Sequence, residues 1–309
     1  MLVAAHRPLP APPFYFPLRH GRYDVAPGLI KFGRDLGGGT ADEQLFQIDR
    51  TFDRFRAAKL ASRAQRFEKY VCAANLSDHV AAGVALFITQ RLASEHRHHF
   101  MLQQTGDVAK LHCALSGDTI EPMGGAQTLD ALACQVQEDF AIVSTSGDGK
   151  HWISYLHVCL PNGWAPVEKI GGSFAAVHEP VAGMAEMNRR GEEFVSIMVR
   201  ATEGLVRFAW GVAFTDELNL HPDRPRIPFD PANPRALLRV ERQTIWGFPH
   251  VGATLFTIRP YLYDLADLRH NPATREPLVN ALRTMPPASQ VYKGIAPHTQ
   301  ALLAWLTSP

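Results

Sequence analysis

The stretch LPNGWAPVEKIGGSFAAVHEPV, from Leu160 to Val181, encloses a short apolar run between a pair of glycines and a proline. An apolar run of this length with such boundaries is typical of a buried strand, so the sequence predicts a strand over Ser173–His178. His178 then lies where the strand leaves the core, and Pro180 fixes its exit. A neutral imidazole there can ligate a metal through one nitrogen while a carbonyl or carboxylate holds the other. His178 can also be an ordinary core or turn histidine whose ring nitrogens are hydrogen-bonded within the protein. This stretch of sequence leaves both interpretations open.

The composition of the 309-residue chain is that of a globular protein, with 46% hydrophobic and 20% charged residues. A formal net charge of +1 gives no electrostatic reason to expect nucleic acid or an anionic membrane as a partner. The longest apolar run, Val80–Ile88, is far shorter than the roughly 20 residues that span a bilayer. Prolines interrupt the N-terminus before a signal peptide develops. We therefore predict a soluble protein with neither a membrane nor a nucleic acid as partner.

The four cysteines, Cys72, Cys113, Cys134 and Cys159, are scattered and form no C-x-x-C pair. This spacing excludes a zinc ribbon, a sequence-local iron–sulfur cluster and the C-x-x-C-H attachment of a c-type haem. A disulfide framework is not expected either, so a cytoplasmic location fits best.

Hydrophobic periodicity predicts helices first and a mixture of strands and helices afterwards. The predicted helices are Asp42–Ala74, Ser77–Phe100, Thr128–Asp139, Glu186–Glu203, Leu262–Thr284 and His298–Thr307. The predicted strands are His151–Leu160, Ser173–His178, Val206–Phe214, Leu237–Trp246 and Ala253–Arg259. This order favours an α+β fold, an antiparallel sheet of about five strands with helices on one face. We expect residues 1–140 to form an N-terminal arm and helical cap. Residues 141–309 would form the sheet domain with C-terminal helices, the two parts making one integrated unit.

The second predicted helix ends in a histidine-rich tract that contains His96, His98 and His99. Such tracts can bind metal. We interpret the tract as a solvated helix end.

Several long, ordered motifs between about residue 20 and residue 307 resemble one family, the haem-dependent oxidative N-demethylase alpha-subunit-like proteins. The motifs are Gly21-Arg-Tyr, Val136-Gln-Glu-Asp-Phe, Pro161-Asn-Gly-Trp-Ala-Pro-Val-Glu-Lys-Ile-Gly, Val177-His-Glu-Pro-Val, Arg207-Phe-Ala-Trp, Arg239-Val-Glu-Arg-Gln-Thr-Ile-Trp-Gly-Phe-Pro, Ala253-Thr-Leu-Phe-Thr-Ile-Arg-Pro-Tyr-Leu and Tyr292-Lys-Gly. The resemblance implies a PAS-like sheet that binds a non-covalent b-type haem. It also implies that the iron activates O₂ to oxidise a small secondary amine such as dimethylamine, giving an aldehyde and a shortened amine.

The electrons for this reaction would come from another protein. The chain has no G-x-G-x-x-G in a strand–helix context and no cysteine spacing typical of a cluster. A separate flavin or iron–sulfur reductase subunit is therefore expected as a partner.

His178 is our candidate for the axial ligand of the haem iron, from the resemblance and because histidine suits this role. Lys169 and Arg259 are candidates for binding the haem propionates, although either can be a simple surface charge. The resemblance adds Trp210 to the expected cofactor-binding residues.

Strand parity places Arg242 on one face of Leu237–Trp246 together with Val240, Thr244 and Trp246. An unpaired guanidinium on an apolar face would be costly, so Arg242 needs a haem propionate, a carboxylate or O₂ at the iron as its partner. We predict that Arg242 donates hydrogen bonds to O₂ or its reduced forms. A buried arginine–carboxylate pair is the structural alternative.

Amine oxidation also calls for a carboxylate that holds an ammonium substrate or takes its proton. The candidate catalytic carboxylates are Glu241 and Asp216, with Glu179 and Glu217 as further ones. Parity turns Glu241 away from Arg242, so bracing Arg239 or a helix is its alternative role.

Two other functions are compatible with these patterns. PAS-like folds also serve as non-catalytic haem or small-ligand sensors, because a fold does not fix a function. A haem-free interaction protein is the third option, and it would leave His178 and Arg242 without a task.

Overall fold

The computed structural model describes residues 8–308, apart from residues 19, 27, 38, 106, 107 and 123. The first seven residues of the predicted N-terminal arm, and its residue 19, therefore lie outside the described residues. The strands are β1 Ile30–Lys31, β2 Val71–Ala73, β3 Phe100–Thr105, β4 Val108–Cys113, β5 Thr119–Ile120, β6 Asp139–Thr145, β7 His151–His157, β8 Leu205–Ala213, β9 Leu237–Phe248 and β10 Ala253–Asp264. The helices are α1 Phe52–Gln65, α2 Phe67–Tyr70, α3 Asp78–Glu95, α4 Gly125–Ala133, α5 Phe174–His178, α6 Ala185–Arg189, α7 Gly191–Arg200, α8 Leu265–Leu268, α9 Pro272–Thr284, α10 Pro287–Tyr292 and α11 Thr299–Thr307.

A large antiparallel sheet organises the described part of the chain. Its seven strands follow the order β1-β8-β9-β10-β6-β7-β2, and β3, β4 and β5 form a separate small sheet. Strands β9 and β10 pair over their whole length, from Leu237 opposite Asp264 to Phe248 opposite Ala253. The prediction of a mixed fold built on an antiparallel sheet is confirmed. No helix in the described ranges is long and apolar enough to cross a membrane.

The first 140 residues are more than the predicted helical cap. Strands β1 and β2 pair with β8 and β7 at the two ends of the large sheet, and β3, β4 and β5 also precede residue 140. The expected boundary between residues 140 and 141 falls inside β6. The N-terminal part therefore completes the sheet as well as covering it.

The predicted strand over Ser173–His178 is wrong, because this segment is the short helix α5. Gly171 precedes it with a φ of +76°, which turns the chain. The hydroxyl of Ser173 then accepts a hydrogen bond from the main-chain N–H of Ala176 and caps the helix. Phe174, Val177 and His178 therefore follow helical spacing and lie on one side of α5.

The end of α3 also differs from the expectation. Its start is as predicted, since the Ser77 hydroxyl caps it by accepting from Val80 N. The helix ends at Glu95, and His96 and His99 are buried, each about 7% exposed. The Nε2 atom of His96 lies 2.6 Å from the carbonyl oxygen of Phe46. His96 and His99 are therefore part of the core, whereas His98 is exposed, and the interpretation of the tract as a solvated helix end holds for His98 alone.

The two faces of the large sheet differ in what covers them. One face, which we call the covered face, carries Ile142 and Leu255 under α1, α3 and α4. At its other end Val240 and Tyr261 pack against α9 and α11. Each fully buried apolar side chain of this kind contributes about 1.5–3 kcal/mol to folding.

The opposite face, which we call the cavity face, is less completely filled. Its apolar cluster is smaller, with Ala141, Ile153, Leu156 and Val158 at the centre. Helix α5 packs near β7, and α7 packs near β9 and β10. These short helices leave open space above the middle of the sheet.

Candidate functional site

A cavity of about 1110 Å³ lies on the cavity face of the sheet. Strand residues form its floor, and α5, α6, α7, parts of the N-terminal arm and the loop after β8 form its walls. Its apolar lining includes Trp164, Phe174, Val177, Met184, Met187, Phe194, Met198, Ile245, Phe256 and Ile258. Ligand pockets typically enclose roughly 300–1,000 Å³ and are mostly apolar with a few placed polar groups. This cavity is large enough for an organic cofactor together with a small substrate.

His178 ends α5 and lines this cavity. Its Nδ1 atom lies 2.8 Å from the carbonyl oxygen of Phe174, one helical turn earlier, so Nδ1 carries the proton and donates it. Its ring also packs on the ring of Phe174, with centroids 4.2 Å apart. Burial lowers the pKa of His178, so the ring is neutral near pH 7. The unprotonated Nε2, for which no partner is found among the described residues, is therefore a ready metal ligand.

The charged residues that line the cavity are predominantly basic. The seven basic ones are Arg22, Lys169, Arg207, Arg224, Arg226, Arg239 and Lys293, and the four acidic ones are Asp24, Asp35, Glu168 and Glu241. An excess of cations around an apolar cavity favours a ligand that carries carboxylates. Lys169, a predicted propionate partner, is among these lining residues.

A hydrogen-bonded row of polar side chains crosses the floor of the cavity. Arg207 Nη1 donates to Gln243 Oε1 at 3.1 Å, and Gln243 Nε2 donates to Glu241 Oε2 at 3.2 Å. Arg239 Nε lies 3.4 Å from Glu241 Oε1, and its other nitrogens donate to the carbonyls of Leu160 and Leu218. Strand parity therefore placed Glu241 correctly, and Glu241 braces Arg239 as well as lining the cavity.

Trp210 and Lys293 lie together at the edge of β8. Strand β1 pairs with β8 only at Leu205 and Val206, so the carbonyl of Trp210 faces outward and accepts a hydrogen bond of 2.6 Å from Lys293 Nζ. Both residues line the cavity. Sequence reasoning quoted Lys293 only within the Tyr292-Lys-Gly motif and gave it no role.

Arg242 lies on the covered face, away from the cavity and from His178. Its Nε and Nη2 atoms donate to the two carboxylate oxygens of Asp42 at 2.7 and 3.0 Å. Nη1 and Nη2 also donate to the carbonyls of Leu45 and Gln44. The guanidinium is fully buried. Arg242 and Asp42 thus form the buried arginine–carboxylate pair that was the alternative to a role at O₂. Arg242 and His178 do not share a cavity, so the prediction that Arg242 donates to O₂ at an iron held by His178 is wrong in this arrangement.

Arg259 is opposite Arg242 in the neighbouring strand and on the same covered face. It donates to Asp49 Oδ2 at 2.8 Å, and its guanidinium lies 3.8 Å from the centre of the Phe55 ring. Two like charges in such a cross-strand pair would repel, and each arginine has its own aspartate. Arg259 therefore belongs to this buried layer, and neither Arg259 nor Arg242 is among the residues that line the cavity.

The other predicted carboxylates lie at the surface. Asp216 is about half exposed and pairs with Arg235 at 2.9 Å and Arg54 at 3.5 Å. Glu179 and Glu217 are exposed. Of the four candidate carboxylates, Glu241 is the one that the structure brings to the cavity.

A second group of potential ligand atoms is centred on buried His157. Its Nε2 lies 3.1 Å from Asp130 Oδ1, and its Nδ1 lies 3.8 Å from Cys159 Sγ. Together with Cys134 and Asp139 these atoms form two overlapping sets with spacing suited to a metal ion. Burial raises the pKa of both thiols, while the Arg63 and Lys59 cations already neutralise the aspartates. Because both aspartates already have cationic partners, we interpret this group as a structural network of the core.

The cavity, by contrast, has the groups that a haem requires. His178 offers an unprotonated nitrogen for the iron, the lining is apolar, and cations at the edge suit carboxylate side chains. The site thus suits a protein of the haem-binding class.

The family model described as haem-dependent oxidative N-demethylase, alpha subunit-like, matches residues 39–303, and the chain belongs to this family. The resemblance inferred from the motifs is confirmed. The family description indicates an oxidoreductase of the oxidative N-demethylase type that depends on haem, and the term alpha subunit implies a partner subunit.

Proposed function

We propose that this chain binds a b-type haem in the cavity and carries out oxidative N-demethylation of a small secondary amine, with dimethylamine as the candidate substrate. The products would be an aldehyde and the shortened amine. O₂ is the oxidant, and a separate flavin or iron–sulfur reductase subunit supplies electrons. A PAS-like arrangement of the sheet around the haem is part of this proposal.

The observation that carries the proposal is the state of His178. Its Nδ1–H is held by the Phe174 carbonyl, which fixes the tautomer and the direction of the ring, as is usual for histidines that ligate metals. The same ring lines an apolar cavity of suitable size. Family membership supports haem as the group that fills it.

The residues of this chain have distinct tasks in the proposal. When bound, the haem supplies O₂ activation at its iron. His178 holds the iron, and Lys169 with Arg224 and Arg226 binds the haem carboxylates. Glu241, fixed by Arg239 and Gln243, attracts the substrate ammonium, and the apolar walls exclude water from the reacting region.

Haem titration tests the binding part of the proposal. The wild-type protein should take up one haem with a Soret band. His178→Ala should bind haem at least about tenfold more weakly, because loss of a partner even one step removed from a metal costs 10–100-fold. Added imidazole should restore the spectrum. His250→Ala, at an exposed turn, is the matched control. An unchanged Soret spectrum in His178→Ala would remove this histidine as the ligand.

Oxygen consumption tests the catalytic part. The haem-loaded protein, given a chemical reductant and dimethylamine, should consume O₂ and release formaldehyde. A panel of methylated amines extends the measurement to other substrates. Haem binding without amine-dependent O₂ consumption would refute demethylation and leave a haem sensor as the function.

A further inference from the structure

Lys293 carries its ammonium group in an environment that resembles a recognition site for organic cations. The Nζ atom lies 5.7 Å from the ring centre of Tyr23 and 5.7 Å from that of Trp210. These two rings are themselves in edge contact, with centroids 5.9 Å apart. Aromatic rings around a cation are a common means of binding alkylated ammonium groups. The hydrogen bond to the Trp210 carbonyl fixes Nζ at this point on the cavity wall.

The charges around Lys293 do not fully compensate it. No salt bridge of Lys293 is found in the part of the chain that the structure describes, and Glu241 favours its charged form only through space. The Arg207 guanidinium opposes that form, and the Arg226 guanidinium adjoins the neighbouring Gly294. Burial raises the pKa values of Tyr23 and Tyr292, so both phenols are neutral. Burial is also the main reason that the pKa of Lys293 falls to about 8.

A small alkylammonium ion has the same charge and nearly the same shape as the end of a lysine side chain. It would find the same attractive groups, the rings of Trp210 and Tyr23 at the edge of β8 and, through space, the charge of Glu241 on the cavity face. Two cations about 4 Å apart repel by roughly three powers of ten in affinity at an effective dielectric constant of about 20. The site can therefore hold one such positive charge at a time.

We propose that Lys293 is a specificity-determining residue that competes with a cationic amine for the site formed by Glu241, Trp210 and Tyr23. Binding of the amine then removes one proton from the pair of Lys293 and amine. An N–H bond breaks on Nζ or on the amine, its electron pair stays on that nitrogen, and the proton passes to the solvent. No oxidant or reductant takes part in this step. The inference rests on the proposed function for the class of ligand and extends it to the proton balance of binding.

Tetramethylammonium is the sharpest probe, because it has no proton of its own to lose. Its dissociation constant is measured by calorimetry on the haem-loaded ferric protein between pH 6 and pH 8. Apparent affinity follows the fraction of protein in the competent state, here the neutral form of Lys293. With a pKa of about 8, wild-type affinity should rise about 50-fold over this range. Lys293→Met should bind with an affinity that does not change with pH, and Lys293→Arg should bind weakly throughout.

Dimethylamine provides the second readout. Calorimetry at pH 7 in buffers of different ionisation enthalpy should show release of about one proton on binding to wild type, and none in Lys293→Met. A wild-type affinity for tetramethylammonium that is flat with pH would overturn the inference, whether or not the variant folds. Equal proton release in wild type and Lys293→Met would also overturn it.

These outcomes are separable from a failure of the proposed function. If tetramethylammonium affinity rises with pH but no amine supports O₂ consumption, the competition at Lys293 is supported and the demethylation proposal is refuted. If amines are oxidised but the affinity for tetramethylammonium does not change with pH, demethylation is supported and the proposed role of Lys293 is refuted.

Discussion

Asp42→Ala should strongly destabilise the protein, because it leaves the buried Arg242 guanidinium on the covered face without a negatively charged partner. The two side chains are almost completely buried, with exposures of 0% for Arg242 and 7% for Asp42. Their two hydrogen bonds of 2.7 and 3.0 Å form a bidentate pair. Tyr15 and Gln47 also donate to the same carboxylate, so alanine leaves several buried donors without an acceptor.

The expected loss is about 3–5 kcal/mol, the range for removing one partner of a buried ion pair. The free energy of unfolding of a domain is only about 5–15 kcal/mol. The variant should therefore still fold, but with a much smaller free energy of unfolding. With a urea slope of about 3 kcal/mol per molar, the unfolding midpoint should fall by about 1–1.7 M. Tryptophan fluorescence and circular dichroism, followed through the same urea titration, measure it.

Asp216→Ala is the matched control, because it also removes an aspartate carboxylate from an ion pair, but from one that is about half exposed. Exposed pairs contribute less than about 1 kcal/mol. Combining Asp42→Ala with Arg242→Met should recover part of the loss, since no buried charge is then left unpaired. A midpoint for Asp42→Ala no lower than that of Asp216→Ala would refute the burial argument. Arg242→Met should leave haem affinity unchanged, because Arg242 is absent from the cavity lining.

Three further predictions concern His96 and two glycines. Burial lowers the pKa of His96 to about 4, from about 6.5 in an unfolded chain. Between about pH 6.5 and pH 4 the unfolded state therefore binds more protons than the folded state. The free energy of unfolding falls as the pH drops through this range. His96→Gln should lessen this acid loss, measured as urea midpoints at pH 7 and pH 5, and equal losses in both proteins would contradict it. Gly247→Ala should cost about 1–3 kcal/mol or more, because an added Cβ would lie 2.6 Å from the Met198 carbonyl. Gly83→Ala, in α3 with no atom within 4 Å of the new carbon, should instead gain about 0.5–1 kcal/mol by thermal or urea unfolding.

Local patterns predicted much of the sheet, because the side-chain alternation of a strand depends on neighbours in sequence. Segments 237–246 and 253–259 lie within β9 and β10, and parity separated Glu241 from Arg242 as observed. The error at α5 was also local. Ser173 is a typical helix cap, and this signal competes with the apolar run that follows it, which favours a strand.

The roles of the arginines could not be predicted in this way. Strand parity shows that Arg242 and Val240 share an apolar face, but it does not show what covers that face. The structure supplies a carboxylate 200 positions earlier in the chain, Asp42. A partner at that separation is set by how the N-terminal segment crosses the sheet, which no local pattern records.

The sequence by itself determined the alternation of the strands, the family and the histidine that lines the cavity, since each depends on short ordered segments. Only the tertiary structure decided which side of the sheet is filled by helices and which stays open. It placed Glu241, Trp210 and Lys293, from two strands and a distant C-terminal segment, around one cavity. The physical reason is that packing and charge compensation act between surfaces in space, and the residues that form those surfaces are far apart along the chain.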